Sequence, residues 1–221
     1  MTKVAICFSG LPRLTHSMPI IKWQNYIKKY NADVFVHTWI TDEDIRIDVK
    51  DQIISLFDPK VIKLEPLREF SLETYNQRLL PSVIPYHVFS SFTSIYESMK
   101  LVNDYSLLNE FEYDFVVRAR FDVMVNDLNL ESVNGVAVPD DKNKHKLKFK
   151  YKDLDLFGIN DLVAYGNQQY MTLYSNTIDY IHFLYHEEKV DMCPELFLTA
   201  NLIRQNVPII FRPLQTEIIR R

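Results

Sequence analysis

Asp114-Phe-Val-Val-Arg-Ala-Arg-Phe-Asp-Val-Met-Val125 is the stretch on which the fold turns. Phe115 to Arg118 reads as a short buried strand, and Arg120 and Asp122 follow at once with one aromatic between them. A strand that runs into a charged cluster places reactive groups at the carboxyl edge of an α/β sheet, where ligands bind. An aspartate there can hold a hard divalent cation, and arginines beside it can hold phosphate oxygens. The same residues would equally serve as an Arg–Asp pair closing a loop at a strand end.

The segments around it alternate in type. Val4 to Phe8 is an apolar run ended by Ser9-Gly10-Leu11-Pro12-Arg13, a first buried strand and a tight turn. Residues 17–30 fit an amphipathic helix, Asp33 to His37 a second strand, 46–57 a helix, and Lys60 to Leu64 a third strand. That order implies right-handed crossovers and a mostly parallel central sheet flanked by helices, an α/β class. Residues 66–85 are weakly periodic and read as a long loop with one helical turn. The aromatics and aliphatics of 87–110 recur at helical spacing and predict a long helix packed on the sheet.

After the 114–118 strand come a short strand at Gly135 to Val138 and another at Asn160 to Gly166, the latter with an acid, Asp161, at its head. Helices are predicted over 168–175, 177–187 and 194–205, and closing strands at Ile209 to Arg212 and Glu217 to Ile219. No repeat or low-complexity linker divides the chain, which reads as one domain with a nucleotide-type front half and an elaborated back half. Lysines stand at every second position from Lys142 to Lys152. In an extended strand they share one face, which suits an edge guarded against pairing, or a basic flap over an anionic ligand.

Bulk properties exclude several classes. The net charge of −4 argues against a general nucleic-acid binder, which rests on excess Lys and Arg. The only four glycines leave no room for a glycine-rich phosphate loop of the GxGxxG or Walker kind. Cys7 and Cys193 form no CxxC pair and read as packing residues in a reducing compartment. No apolar run reaches the length of a membrane span, and Met1 to Phe8 is too short for a signal peptide, so the expectation is a cytoplasmic protein.

Four places can carry chemistry. Gly10 lets a ligand approach the backbone, and Arg13 can pair with a phosphate. His37-Thr38-Trp39 ends the second strand: Trp39 can stack near a base or sugar and His37 can hydrogen-bond there, although a strand-end histidine is more often structural. Arg118, Arg120 and Asp122 form the third. Asp161 and Glu195 can each deprotonate an acceptor hydroxyl, while Glu195, one residue after Pro194, also suits a helix dipole. His182 and His186 have zinc spacing but lack a third ligand, and no GxSxG elbow occurs.

Ile6-Cys-Phe-Ser-Gly-Leu-Pro-Arg13, Asp33-Val-Phe-Val-His-Thr-Trp39, Val117-Arg-Ala-Arg-Phe-Asp122 and Asn160-Asp-Leu-Val-Ala-Tyr-Gly166 occur in that order. Together they resemble a group of small glycosyltransferase-like proteins of phages, large DNA viruses and bacteria. The resemblance spans nearly the whole chain. It implies a single GT-A-like domain, with a Rossmann-like nucleotide-sugar-binding half over 1–125 and an acceptor-side half over 126–221. It implies a hexosyltransferase-type enzyme that moves a sugar from a nucleoside-diphosphate sugar, UDP-sugar favoured, to a glycan, glycoprotein or lipid-linked acceptor, in the host cytoplasm if viral. Gly10, Arg13, His37, Thr38, Trp39, Arg118 and Arg120 would bind the nucleotide sugar. Asp122 would be the residue for Mn²⁺ or Mg²⁺, and Asp161 and Glu195 the catalytic carboxylates. The usual Asp-x-Asp pair is here Asp122-Val-Met124, so the second carboxylate is missing and Arg118 or Arg120 could neutralise the diphosphate instead. A nucleotide-sugar-binding protein without catalysis and a sugar nucleotidyltransferase are the alternatives, the latter disfavoured by the brevity of Ser9 to Arg13.

Overall fold

The computed structural model describes residues 2–42, 44, 48–80, 83–140 and 147–219. The first strand, β1 (Val4–Gly10), is buried on both sides. Ala5 and Cys7 join one apolar cluster and Ile6 and Phe8 another, so strand alternation divides the chain into cores above and below one sheet. Helix α1 (Ser17–Tyr30) covers the Ile6–Phe8 side and sinks Trp23, whose Nε1 donates to the Val123 carbonyl at 2.8 Å. It ends at Asn31 in the left-handed region, with Lys28 and Lys29 in the last turn where the helix dipole favours cations.

Strand β2 (Asp33–Ile40), helix α2 (Val49–Phe57) and strand β3 (Val61–Pro66) complete the front crossovers. The helix expected over 46–57 is described from Val49 onward, and its first residues lie outside the described residues. Between β3 and the next helix the chain shows no helical turn among the described residues, only an isolated bridge from Leu79 to Met192. Helix α3 (Pro85–Leu108) starts two residues earlier than its aromatic spacing predicted, because Pro85 supplies a ready-made first turn. Val88, Phe92, Ile95, Met99 and Val102 bury its apolar face in the Cys7-side core.

Strands β4 (Phe115–Ala119), β5 (Val123–Asn126), β6 (Val136–Pro139), β7 (Lys148–Tyr151), β8 (Leu154–Phe157) and β9 (Val163–Gly166) follow. Helices α4 (Gln168–Ser175), α5 (Thr177–His186) and α6 (Pro194–Arg204) precede β10 (Ile209–Arg212) and β11 (Gln215–Ile218). The central sheet has seven strands in the order β10-β6-β9-β4-β1-β2-β3. Its pairings are parallel except those of β9, which runs against both β4 and β6. The architecture is therefore mixed α/β with a mostly parallel sheet, continuous across the front and back parts of the chain.

Two small ribbons stand apart from that sheet. β5 pairs antiparallel with β11 beneath α1. β7 and β8 form a hairpin turned at Lys152 and Asp153, both at positive φ. The lysine alternation was expected as one long strand from 142 to 152. Its first half lies outside the described residues, and its second half is one arm of this hairpin, with Lys148 and Lys150 exposed and Tyr151 buried. Among the described residues no helix is long and apolar enough to cross a membrane.

Candidate functional site

β1 leads by a crossover to β2 on one side of the sheet, while β4 lies on its other side, so the strand order reverses between β1 and β4. In an open α/β sheet the crevice beyond the carboxyl ends at such a point is where ligands bind. The register pairs Phe8 with Ala119, which brings Gly10 and the Arg120–Asp122 turn out side by side. A cleft of about 360 Å³ opens there, lined by Ser9, Gly10, Arg13, Trp39, Arg118, Arg120 and Asp122 among others. Its volume is within the range of small-molecule sites.

Asp122 is the centre of its charge. Arg13 Nη1 donates to Oδ2 at 2.7 Å, Arg120 Nε to Oδ1 at 2.9 Å, and Arg120 Nη2 to Oδ2 at 2.7 Å. The carboxylate is 3% exposed, against 43% for Arg13 and 22% for Arg120, so the cations face the cleft and the anion backs them. Burial would raise the Asp122 pKa, but Arg120 and then Arg13 outweigh it and hold the carboxyl below its ordinary value. The main chain at this turn is fixed as well, since Ile219 N–H donates to the Asp122 carbonyl at 3.0 Å.

Arg118 is buried behind them. Its Nε donates to Ser9 Oγ at 3.0 Å and its Nη1 to the Asp161 carbonyl. Burial pulls its pKa down while Tyr174 and Asp161 oppose the change, and a guanidinium stays charged through such a shift. Asp161 reaches this edge because β9 is antiparallel: Ala119 pairs with Val163, so the residues before β9 emerge where β4 ends. Glu195, in the first turn of α6, lies in the field of Asp161. Burial first, and the Asp161 charge second, push its pKa above the ordinary carboxylate value. Its Oε2 accepts from the Cys193 thiol at 2.8 Å. The buried Tyr174 hydroxyl beside Arg118 and Asp161 finds no hydrogen-bond partner among the described residues.

Gly10 adopts φ +103, a region that L side chains rarely enter. Its peptide is gripped from two sides: the N–H donates to Ser94 Oγ at 2.7 Å and the carbonyl accepts from Thr38 Oγ1 at 2.7 Å. Thr38 thus supports the cleft from beneath. His37 is fully buried and does not line it; Nδ1 meets Ser94 Oγ and Nε2 meets Glu65 Oε2, each at 2.8 Å. A carboxylate only accepts, so Nε2 carries the proton and Nδ1 accepts from the Ser94 hydroxyl. Burial lowers the His37 pKa against the pull of Glu65. Glu65 itself is lowered to about 2: burial opposes this, and His37, Arg68 and Lys63 together prevail. Trp39 backs the cleft wall but is 1% exposed, with its Nε1 donating to the Ser90 carbonyl at 3.1 Å and its ring against His37, so it offers no open face for the stacking role expected of it.

The cleft also uses His87, Ser90 and Ser91, from the first two turns of α3, residues that sequence reasoning did not place there. Their only signal was polarity within an otherwise aromatic helical period. A divalent cation does not fit the donors present. Both oxygens of Asp122 are held by guanidinium groups, the neighbouring side chains are cationic, and among the described residues no three His, Cys, Asp or Glu side chains gather for a metal.

Fold and site define a mixed α/β protein with a cationic cleft at the switch point of its sheet. No protein-family model matches the sequence, and no curated protein matches it.

The His37 relay sets a pH dependence. A histidine whose folded pKa is lowered refuses a proton that the unfolded chain accepts near its ordinary value of 6.5. Stability is therefore full above that value and falls as pH drops through it, by at most about 1.4 kcal/mol per pH unit. The melting temperature is expected to fall between pH 7.5 and 5.5, before Glu65 begins to titrate in the unfolded chain. His37→Gln should melt lower at pH 7.5 but with a flatter profile over this window, as followed by circular dichroism.

Proposed function

We propose that this protein is a hexosyltransferase-type glycosyltransferase, taking a nucleoside-diphosphate sugar, UDP-sugar favoured, to a hydroxyl of a glycan, glycoprotein or lipid-linked acceptor. The observation that carries this reading is the cleft at the switch point, where Arg13 and Arg120 face outward on a buried Asp122 beside the open backbone of Gly10. Guanidinium forks suit the paired oxygens of a diphosphate. A base or sugar ring would lie toward the exposed His87, which also lines the cleft.

The transfer demands little covalent work from the protein. The acceptor oxygen forms a bond to the anomeric carbon as the bond from that carbon to the phosphate oxygen breaks. The electron pair leaves with the nucleoside diphosphate, and the acceptor proton goes to a carboxylate. Negative charge growing on the leaving group is stabilised by Arg13 and Arg120, already oriented before reaction. Glu195, in the first turn of α6, is the assigned proton acceptor, and Asp161, at the head of β9, is its electrostatic partner. Neither is among the residues lining the cleft, so the acceptor hydroxyl would have to lie on the β9 side of it.

Two outcomes check this. In a thermal-shift panel of UDP-, GDP-, CMP- and dTDP-sugars, one donor should raise the melting temperature in a concentration-dependent way, by about 2.7 kcal/mol of added stability at a hundred times its Kd. No rise with any donor would contradict the proposal. Glu195→Gln should lower transfer from that donor by about 10²–10⁴-fold while its affinity for the nucleotide stays within a few-fold. Unchanged transfer, followed as nucleoside diphosphate released, would remove Glu195 from its role.

A further inference from the structure

We infer that the cleft binds the donor diphosphate without a divalent cation, with Asp122 acting as the internal anion that positions Arg13 and Arg120. The inference rests on the nucleotide-sugar reading and departs from the metal role that the sequence resemblance implies for Asp122.

Three observations meet here. The first is charge occupancy: three charge-assisted hydrogen bonds of 2.7–2.9 Å set two guanidinium groups against both Asp122 oxygens, and a divalent cation approaching the carboxylate would meet their repulsion. The second is the donor set around it. The position two residues on is Met124, which pairs with Glu217 in the β5–β11 ribbon and offers no hard oxygen from its side chain. Ser9, Gly10, Trp39, Ser90 and Ser91 supply no second carboxylate to the cleft. The third is charge: Arg13 and Arg120 with one carboxylate leave a net positive cluster, to which the buried Arg118 adds another charge. That is the charge a cation would otherwise bring to a diphosphate.

Asp122 in this account does not touch the donor. It fixes the planes of two flexible side chains that start from different parts of the fold, the loop after β1 and the turn after β4. Arg13 commits Nη1, and Arg120 commits Nε and one Nη2 hydrogen. A guanidinium has five N–H donors, so both keep donors for phosphate oxygens. Pre-orientation lowers the entropy lost when the diphosphate is gripped.

Titration calorimetry with UDP separates the possibilities, run once in EDTA and once in Mn²⁺. UDP should bind wild-type protein in EDTA, with an affinity that Mn²⁺ changes by less than about threefold. Arg13→Ala, with its folded state checked by circular dichroism and Asp122 still held by Arg120, should lose about ten- to a hundredfold in both conditions. Asp122→Asn should lose about tenfold, again equally in EDTA and Mn²⁺, because its effect passes through the arginines. Binding that appears only with Mn²⁺, or an Asp122→Asn loss confined to Mn²⁺, would overturn the inference and leave the donor reading standing. An unaltered affinity in Arg13→Ala would overturn it too. Failure of wild-type protein to bind UDP, GDP, CMP or dTDP in either condition would sink the donor reading itself, and this inference with it.

Discussion

One carboxylate organises this molecule's carboxyl edge. Asp122 is buried, and a buried charge is tolerable only when its oxygens are satisfied by opposite charges in good geometry. Arg13 and Arg120 provide that, and in doing so they join the loop after β1 to the turn after β4. Neither guanidinium would have a reason to lie over the cleft without it. The cost of sequestering an anion is met by cations that remain partly in solvent, so the cleft is positive although the chain as a whole is negative.

The rest of the site is built to hold a flat, open floor beneath those cations. Gly10 contributes backbone and no side chain, and its peptide is held by Thr38 and Ser94. Ser94 in turn engages His37, which leans on Glu65, and Glu65 is shared with Lys63 and Arg68. The chain of polar contacts runs from the cleft floor to the surface on four elements, β1, β2, β3 and α3. Such a network specifies one arrangement because each member would be left unsatisfied in any other. It also explains why a histidine at a strand end supports the cleft from below and does not line it.

Much of this was legible in the sequence, and the parts that were not share a cause. Apolar runs such as Val4–Phe8 announce strands buried on both faces, and Arg120 and Asp122 directly after such a run announce an edge cluster. Strand direction is not written in a four-residue run: nothing in Val163–Gly166 says that it lies antiparallel, yet that reversal brings Asp161 to the same edge as Asp122. Partners distant along the chain were equally hidden. Ser94 meets Gly10 across 84 positions and His37 across 57, and His87 enters the cleft only because α3 crosses the ends of β1 and β2. The lysine alternation shows in its described part, where Lys148 and Lys150 share the exposed face of β7, while the turn at Lys152–Asp153 that folds it into a hairpin has no signal in a period of two.

The central claim is that a nucleoside diphosphate lies in the switch-point cleft with its phosphates on Arg13 and Arg120. A crystal structure of the protein soaked with UDP in the presence of EDTA tests it most directly. Diphosphate oxygens should lie within hydrogen-bonding distance of both guanidinium groups, with the nucleoside on the His87 side of the cleft. UDP bound elsewhere, or phosphates held away from both arginines, would contradict it.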